Sequence, residues 1–126
     1  MTNSSGIVPA ADIAPLIRLV RETRVILDTD LAGIYCVQAR VLNQALKRNQ
    51  ERFPDDLAFL LSRDEILGIS QSVISLRKLK LSKQVRAFTE HGALMAANIL
   101  NSLRAVAMNV YVIRAFIKIR EDLAAN

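Results

Sequence analysis

DLAGIYCVQARVLNQALKRNQERF, residues 30–53, is the stretch whose spacing decides the fold. Leu31, Ala32 and Tyr35, then Val41, Leu42, Ala45 and Leu46, recur at intervals of three and four, with a break around Cys36 and Val37. That period puts apolar side chains on one face of a helix, so it predicts two short helices joined by a tight turn. Asp28 or Thr29 supplies a side-chain oxygen to cap the first helix, and Asp30 in its first turn complements the helix dipole. The second helix must end before Pro54, because proline lacks the amide proton and disfavours helical geometry in the residue before it. A helix-turn-helix needs a small residue in the first helix, a compact turn and an apolar residue facing back from the second. Ala32, the Tyr35 to Val37 turn and Leu42 fill those places. Cys36 stands where glycine is usual, since the backbone of such a turn tends to positive φ.

With Val41, Leu42, Ala45 and Leu46 facing inward, the opposite face carries Gln38, Arg40, Asn43, Gln44, Lys47 and Arg48. Asn and Gln pair bidentately with adenine, Arg with guanine, and Lys or Arg neutralises phosphate, so the mixture suits a helix in the major groove of duplex DNA. An ordinary solvated helix face would show the same periodicity. From Gln71 to Arg86 there is no acidic residue, while Arg77, Lys78, Lys80, Lys83 and Arg86 add positive charge. That run is expected to form a basic strand pair or loop that flanks the second helix as a wing, gripping phosphates rather than reading bases.

Outward from this centre, residues 1–15 are expected to form a flexible arm, with Pro9 and Pro15 bracketing an irregular stretch or a single helical turn. Leu16 to Val20 and Val25 to Leu27 suit a small hairpin, or alternatively a helix through Leu16 to Arg21. Leu57 to Leu61 reads as a short buried strand. Ser62 with Glu65 reads as a capping box opening a helix to about Ile69. Thr89 caps a helix through Asn98, and Ser102 caps a last helix to about Asp122. Leu103, Val106, Ala107, Val110, Ile113 and Ile117 stripe that helix, and Tyr111, Val112, Phe116 and Ile119 extend the stripe beyond one face. A helix so apolar packs on two sides or against a partner chain, which raises homodimerisation.

The whole is a small single α+β domain over residues 16–122, with a helix-turn-helix-like helical core, short strands or hairpins and a long C-terminal helix. At 126 residues one core is expected, and 17 Lys and Arg against 12 Asp and Glu favour polyanionic partners. The single cysteine permits no internal disulfide and suits a reducing, cytoplasmic setting. No signal peptide or membrane span is visible, so no membrane association is expected.

His91 and Cys36 are the only His and Cys, so a zinc site or Cys–His catalysis would have to recruit carboxylates alone. Asp55 and Asp56 follow Phe53-Pro54 and read as a turn rather than a catalytic pair. No enzyme activity, metal or cofactor is expected.

The blocks VILDTDLA (25–32), LNQA (42–45), KRN (47–49), RFPDD (52–56), AFTEHG (87–92), LNS (100–102) and IRAF (113–116), with Tyr35, resemble the KilA-N-related ORF-six-N domain. The likeness covers about Leu16 to Glu121. It departs from the family pattern at Cys36, where glycine is usual, and at Ile69, where arginine commonly precedes Ser70-Gln71. The resemblance implies a small α+β DNA-binding domain of phage, prophage and bacterial proteins, often the N-terminal module of antirepressor-like or regulatory proteins. The resulting expectation is a sequence-reading transcriptional regulator. The alternative is an antirepressor-type protein-interaction module acting through the apolar last helix.

Overall fold

The computed structural model describes residues 10–69 and 84–125. The first hairpin is the hairpin of the sequence reading rather than the helix: β1 (Ile17–Val20) pairs antiparallel with β2 (Thr23–Leu27), Ile17 opposite Ile26 and Val20 opposite Thr23. Its two-residue turn holds Arg21 at φ 54° and Glu22 at φ 62°. Both central residues at positive φ make the tight turn that matches strand twist, a place normally given to Asn-Gly. Here the strain is offset by contacts of Arg21. Its guanidinium donates through Nε and Nη2 to both oxygens of Glu65 (2.7 and 2.8 Å), through Nη2 to the Leu60 carbonyl (3.2 Å), and lies 4.4 Å from the centre of the Phe59 ring.

Ahead of the hairpin, α1 (Ala10–Ile13) and a 3-10 turn (Ala14–Leu16) with Pro15 in its first turn lead into β1. Ile13 is fully buried. The arm expected over residues 1–15 is therefore packed into the core at its C-terminal end; residues 1–9 lie outside those described.

Two further strands complete the sheet, β3 (Ala58–Leu60) and β4 (Arg86–Phe88), in the antiparallel order β1-β2-β4-β3. The last strand in sequence lies inside the sheet, with Phe88 opposite both Ile26 and Ala58. β3 is an edge strand, and Leu60 is exposed, unlike the buried strand expected there. Side chains alternate across the pleat. Ile17, Ile26, Ala58 and Phe88 face the main helical core. Val20, Val25, Leu27 and Ala87 face the other way, against Leu61, Val85 and the Ile66 and Ile69 side chains of α4 (Arg63–Ile69). The expected capping box opens α4: Glu65 N donates to Ser62 Oγ (3.2 Å) and Ser62 N to Glu65 Oε1 (2.7 Å).

Helices α2 (Asp28–Ile34), α3 (Ala39–Arg48), α5 (Glu90–Leu100) and α6 (Leu103–Ala125) pack on the first face. Thr89 Oγ1 caps α5 by accepting from Gly92 N (3.2 Å), and both Thr89 N and Oγ1 donate to the Leu57 carbonyl. A Cβ on Gly92 would sit 2.0 Å from that same carbonyl oxygen, so glycine is required for α5 to start this close to the β3 approach. Ser102 Oγ caps α6 by accepting from Ala105 N (3.0 Å).

Tyr35 closes the helical layer. Its hydroxyl donates to the Ala93 carbonyl (3.0 Å) and accepts from Asn109 Nδ2 (2.8 Å), joining the end of α2 to α5 and α6. Burial, partly opposed by the Asn109 bond, pushes the phenol up to about 12.

Between α2 and α3 the chain ends one helix and starts the next within Tyr35 to Gln38. Val37 N donates to the Ala32 carbonyl (3.0 Å) and Cys36 N to the Gly33 carbonyl (3.3 Å), with Cys36 at φ 58°. This is a Schellman ending whose left-handed residue is a cysteine. Cys36 is exposed, so its side chain contributes no core packing. Cys36→Gly should relieve the left-handed strain and raise stability by about 1 kcal/mol, a Tm increase of about 3 °C. A calorimetric Tm equal to or below that of the parent would contradict this account of the turn.

Candidate nucleic-acid interface

α3 docks through Leu42 and Leu46, both buried, and its outer side presents Gln38, Arg40, Val41, Gln44, Lys47 and Arg48 to solvent. Val41, expected to face inward, is 38% exposed and belongs to this outer surface. No side chain caps α3, and no acidic residue occurs between Leu31 and Gln50. Gln38 Oε1 accepts from Arg40 Nη2 (2.9 Å), which orients that guanidinium at the start of the helix. Gln44, Lys47 and Arg48 have no side-chain bond to the described residues, so their polar groups remain available.

Asn43 is placed differently from the rest of the expected set. Its Nδ2 donates to Asp28 Oδ2 and to the Ala39 carbonyl (both 3.0 Å), and its Oδ1 accepts from Arg86 Nε (3.1 Å). Both amide hydrogens are thus spent inside the protein. Asp28 is buried, and it also accepts from Thr29 N at Oδ1 (2.8 Å) and from Arg86 N at Oδ2 (3.3 Å). The register explains the last bond: Leu27 lies opposite Ala87, so Asp28 stands one step beyond the ladder, level with Arg86. Asp28 therefore joins β4 and α3, while Leu27 takes the cap position of α2 without a side-chain cap.

Arg86 projects from the helix side of β4, two residues from Phe88. Burial lowers its pKa and the nearby Asp28 charge opposes that shift. The remaining members of the basic run, Arg77, Lys78, Lys80 and Lys83, lie outside the described residues.

A groove of about 490 Å³ opens between the C-terminal half of α3 and the outer edge of the sheet. Lys47 and Gln50 border it on the helix side and Arg86 and Leu60 on the sheet side, and Arg21 and Asp55 also line it. Arg21 and Gln50 were not singled out from sequence. Arg21 is a hairpin-turn residue whose placement depends on Glu65, 44 positions away, and nothing in the local pattern signals it.

Phe53 is buried and meets Phe88 edge-to-face at 6.2 Å between ring centres. Asp55 and Asp56 are exposed in the turn that follows, where Leu57 N donates to the Pro54 carbonyl (2.8 Å). His91 is exposed on α5. Among the described residues no three His, Cys, Asp or Glu side chains are grouped to hold a metal ion, and no helix is long and apolar enough to cross a membrane.

A model of the ORF6N domain matches residues 16–99, from the lead-in to β1 through most of α5. The chain belongs to the ORF6N domain family. That places it in a phage-type regulatory family and puts α2, α3 and β4 within the family domain, with α6 beyond the matched segment. Searches of curated proteins and of solved structures return no match.

The ion pair beside the groove has a pH signature. The hydrogen bond from Arg21, with the Ser62 N–H, holds the Glu65 carboxyl down at about 2, against an ordinary value of 4.5. A carboxyl depressed on folding adds stability that is present above its unfolded pKa and is lost as pH falls toward its folded one. Glu65→Gln should therefore lower Tm at neutral pH, and the difference from the parent should shrink between pH 4.5 and 2. A Tm difference that stays constant through that window would show that the pair does not anchor the hairpin.

Proposed function

We propose that this chain is a non-enzymatic, sequence-reading double-stranded DNA-binding protein, a phage- or prophage-derived transcriptional regulator. In this reading α2, the Tyr35–Gln38 turn and α3 form a helix-turn-helix, with α3 in the major groove. The observation that carries it is the outer side of α3. It is free of acid and exposed on a helix whose opposite side is locked into the core, and its side chains are of the types that read bases and bind phosphates.

Arg40 and Gln44 lie one helical turn apart and suit guanine and adenine edges respectively. Lys47, Arg48 and Arg86, with Arg77, Lys78, Lys80 and Lys83 just ahead of β4 in sequence, neutralise backbone phosphates. Asn43, its amide spent on Asp28 and Arg86, supports this surface rather than reading bases. Membership of a phage-type regulatory family supports the same role.

Selection from random duplex DNA at two salt concentrations tests the reading. Enrichment of a motif with salt-dependent affinity is expected, and binding that is neither selective nor salt-dependent would refute it. Replacing Arg40 and Gln44 together by alanine should cost about 1–3 kcal/mol of discrimination per lost bidentate contact while nonspecific affinity changes less. An equal loss on all sequences would contradict their assignment.

A second reading rests on α6. Leu103 is 93% exposed, and Val106, Val110 and Ile117 continue the same outer stripe. The stripe suits a protein partner, as in an antirepressor-type module, and the simplest such partner is a second copy of the chain. Sedimentation equilibrium of the parent and of a Val106→Glu, Val110→Glu double variant decides the homodimer. A parent dimer that becomes monomeric in the variant is expected, and a monomeric parent would remove the homodimer.

A further inference from the structure

Three cationic side chains border the groove beside α3, and they are not equivalent. The charge of Arg21 is already matched by Glu65. Lys47 and Gln50 make no side-chain bond to the described residues. Arg86 gives its Nε to Asn43, but its two η nitrogens bond none of the described residues. Asp28, the acid nearest to Arg86, is bonded to its backbone N–H rather than to its guanidinium. One acid, Asp55, also lines the groove. A part-buried guanidinium whose η nitrogens, and an ammonium, bond none of the described residues thus border, from two different elements, one opening of about 490 Å³.

We infer that this groove is a phosphate-binding pocket in which Arg86 and Lys47 hold phosphate oxygens, Gln50 adds a neutral donor, and Asn43 positions Arg86. The guanidinium fork matches two oxygens of one phosphate, and lysine adds a point charge. Asn43 suits the positioning role because each end of its amide is fixed: Nδ2 is held by Asp28 and the Ala39 carbonyl, and Oδ1 takes the Arg86 Nε–H. The relay runs from a buried carboxylate through α3 to the guanidinium, so the fork is pre-oriented before any ligand arrives. The inference rests on the DNA-binding reading for its natural ligand, a backbone phosphodiester. A free phosphomonoester has the same recognisable chemistry.

The test combines duplex binding across a salt series with a titration of inorganic phosphate, watched on the Arg86 side-chain Nε–H resonance. Parent, Lys47→Gln, Arg86→Gln and Asn43→Ala are compared after thermal melts establish that each is folded. Lys47 is exposed and makes no side-chain bond among the described residues, so its variant keeps the test decisive even where loss of Arg86 or Asn43 disturbs folding. Lys47→Gln and Arg86→Gln should each lower the slope of log affinity against log salt by about 0.9, equally on all sequences. Asn43→Ala should lower the slope in the same way while the preferred motif is kept. Saturable movement of the Arg86 Nε–H by phosphate, weakened in Lys47→Gln, supports the pocket directly.

DNA binding with an unchanged slope in Lys47→Gln, and no response to phosphate, would overturn the pocket and leave the DNA reading standing. A saturable phosphate response without any DNA binding would keep the pocket, assign it to a phosphomonoester, and overturn the DNA reading. A reduced slope without a response to free phosphate assigns it to the backbone of bound DNA. Loss of motif preference in Asn43→Ala would return Asn43 to base reading and remove it from the relay.

Discussion

The buried carboxylate of Asp28 is the constraint on which the placement of α3 depends. A carboxylate withdrawn from water must be hydrogen-bonded, and leaving such a buried acceptor one donor short costs about 1–3 kcal/mol or more. Asp28 sits where β2 runs directly into α2, and its bonds come from Thr29 of α2, Asn43 of α3 and the Arg86 amide of β4. Two consecutive helices and a strand 58 positions further along the chain must therefore meet at one point. Leu42 and Leu46 press α3 onto the core, but hydrophobic contact is non-directional and would tolerate rotation about the helix axis. The Asp28–Asn43 bond adds a directional restraint to the orientation that the Leu42 and Leu46 stripe sets.

A second polar point acts at the other end of the same layer. Tyr35 ends α2, and its hydroxyl is held between Ala93 of α5 and Asn109 of α6. With its pKa near 12 the phenol remains a donor at any ordinary pH, so this joint does not titrate. Gly92 lets α5 begin against the Leu57 carbonyl, and Glu90 pairs with Arg120 far along α6. α2 and α3 are thus carried on a platform fixed by directional bonds at several points. A surface that has to present side chains at set spacings gains from such a mount, because its orientation costs nothing at the moment of binding.

Local chemistry made much of the fold legible. Ser62 with Glu65, Thr89, Ser102 and Pro54 each act on neighbours within a turn, and each helix boundary they imply is close to the one observed. Cys36 was readable too, as the residue in the glycine position, and it does take positive φ. The sheet order was not legible, because the insertion of β4 between β2 and β3 is a non-local pairing with no short-range sign. Nor was the inward turn of Asn43. Its position borders the Leu42 and Leu46 stripe, and helical spacing alone cannot tell an amide on the outer face from one bent toward a buried acid 15 residues earlier. Ile13 was hidden because it stands among alanines in a short segment between two prolines, too short to show a periodic pattern.

These placements bear on how a domain this small could reach regulatory specificity. α3 has ten residues and is about 15 Å long, enough to span about four base-pair steps. Under the proposed function, with Asn43 occupied internally, Arg40 and Gln44 would be the bidentate readers, worth about 1–3 kcal/mol each. Together that is at most the lower part of the roughly 4–10 kcal/mol that separates specific from nonspecific sites. A single copy under this reading is therefore a strong phosphate binder and a modest reader. Two copies related by a twofold axis would double the readout and place it on two half-sites about 34 Å apart. The exposed stripe of α6 lies outside the matched family segment and is an apolar surface that could serve such pairing. Under the proposed function, pairing through α6 would remedy the deficit in readout and cover the exposed apolar stripe at once, supplying the symmetry that α3 would need.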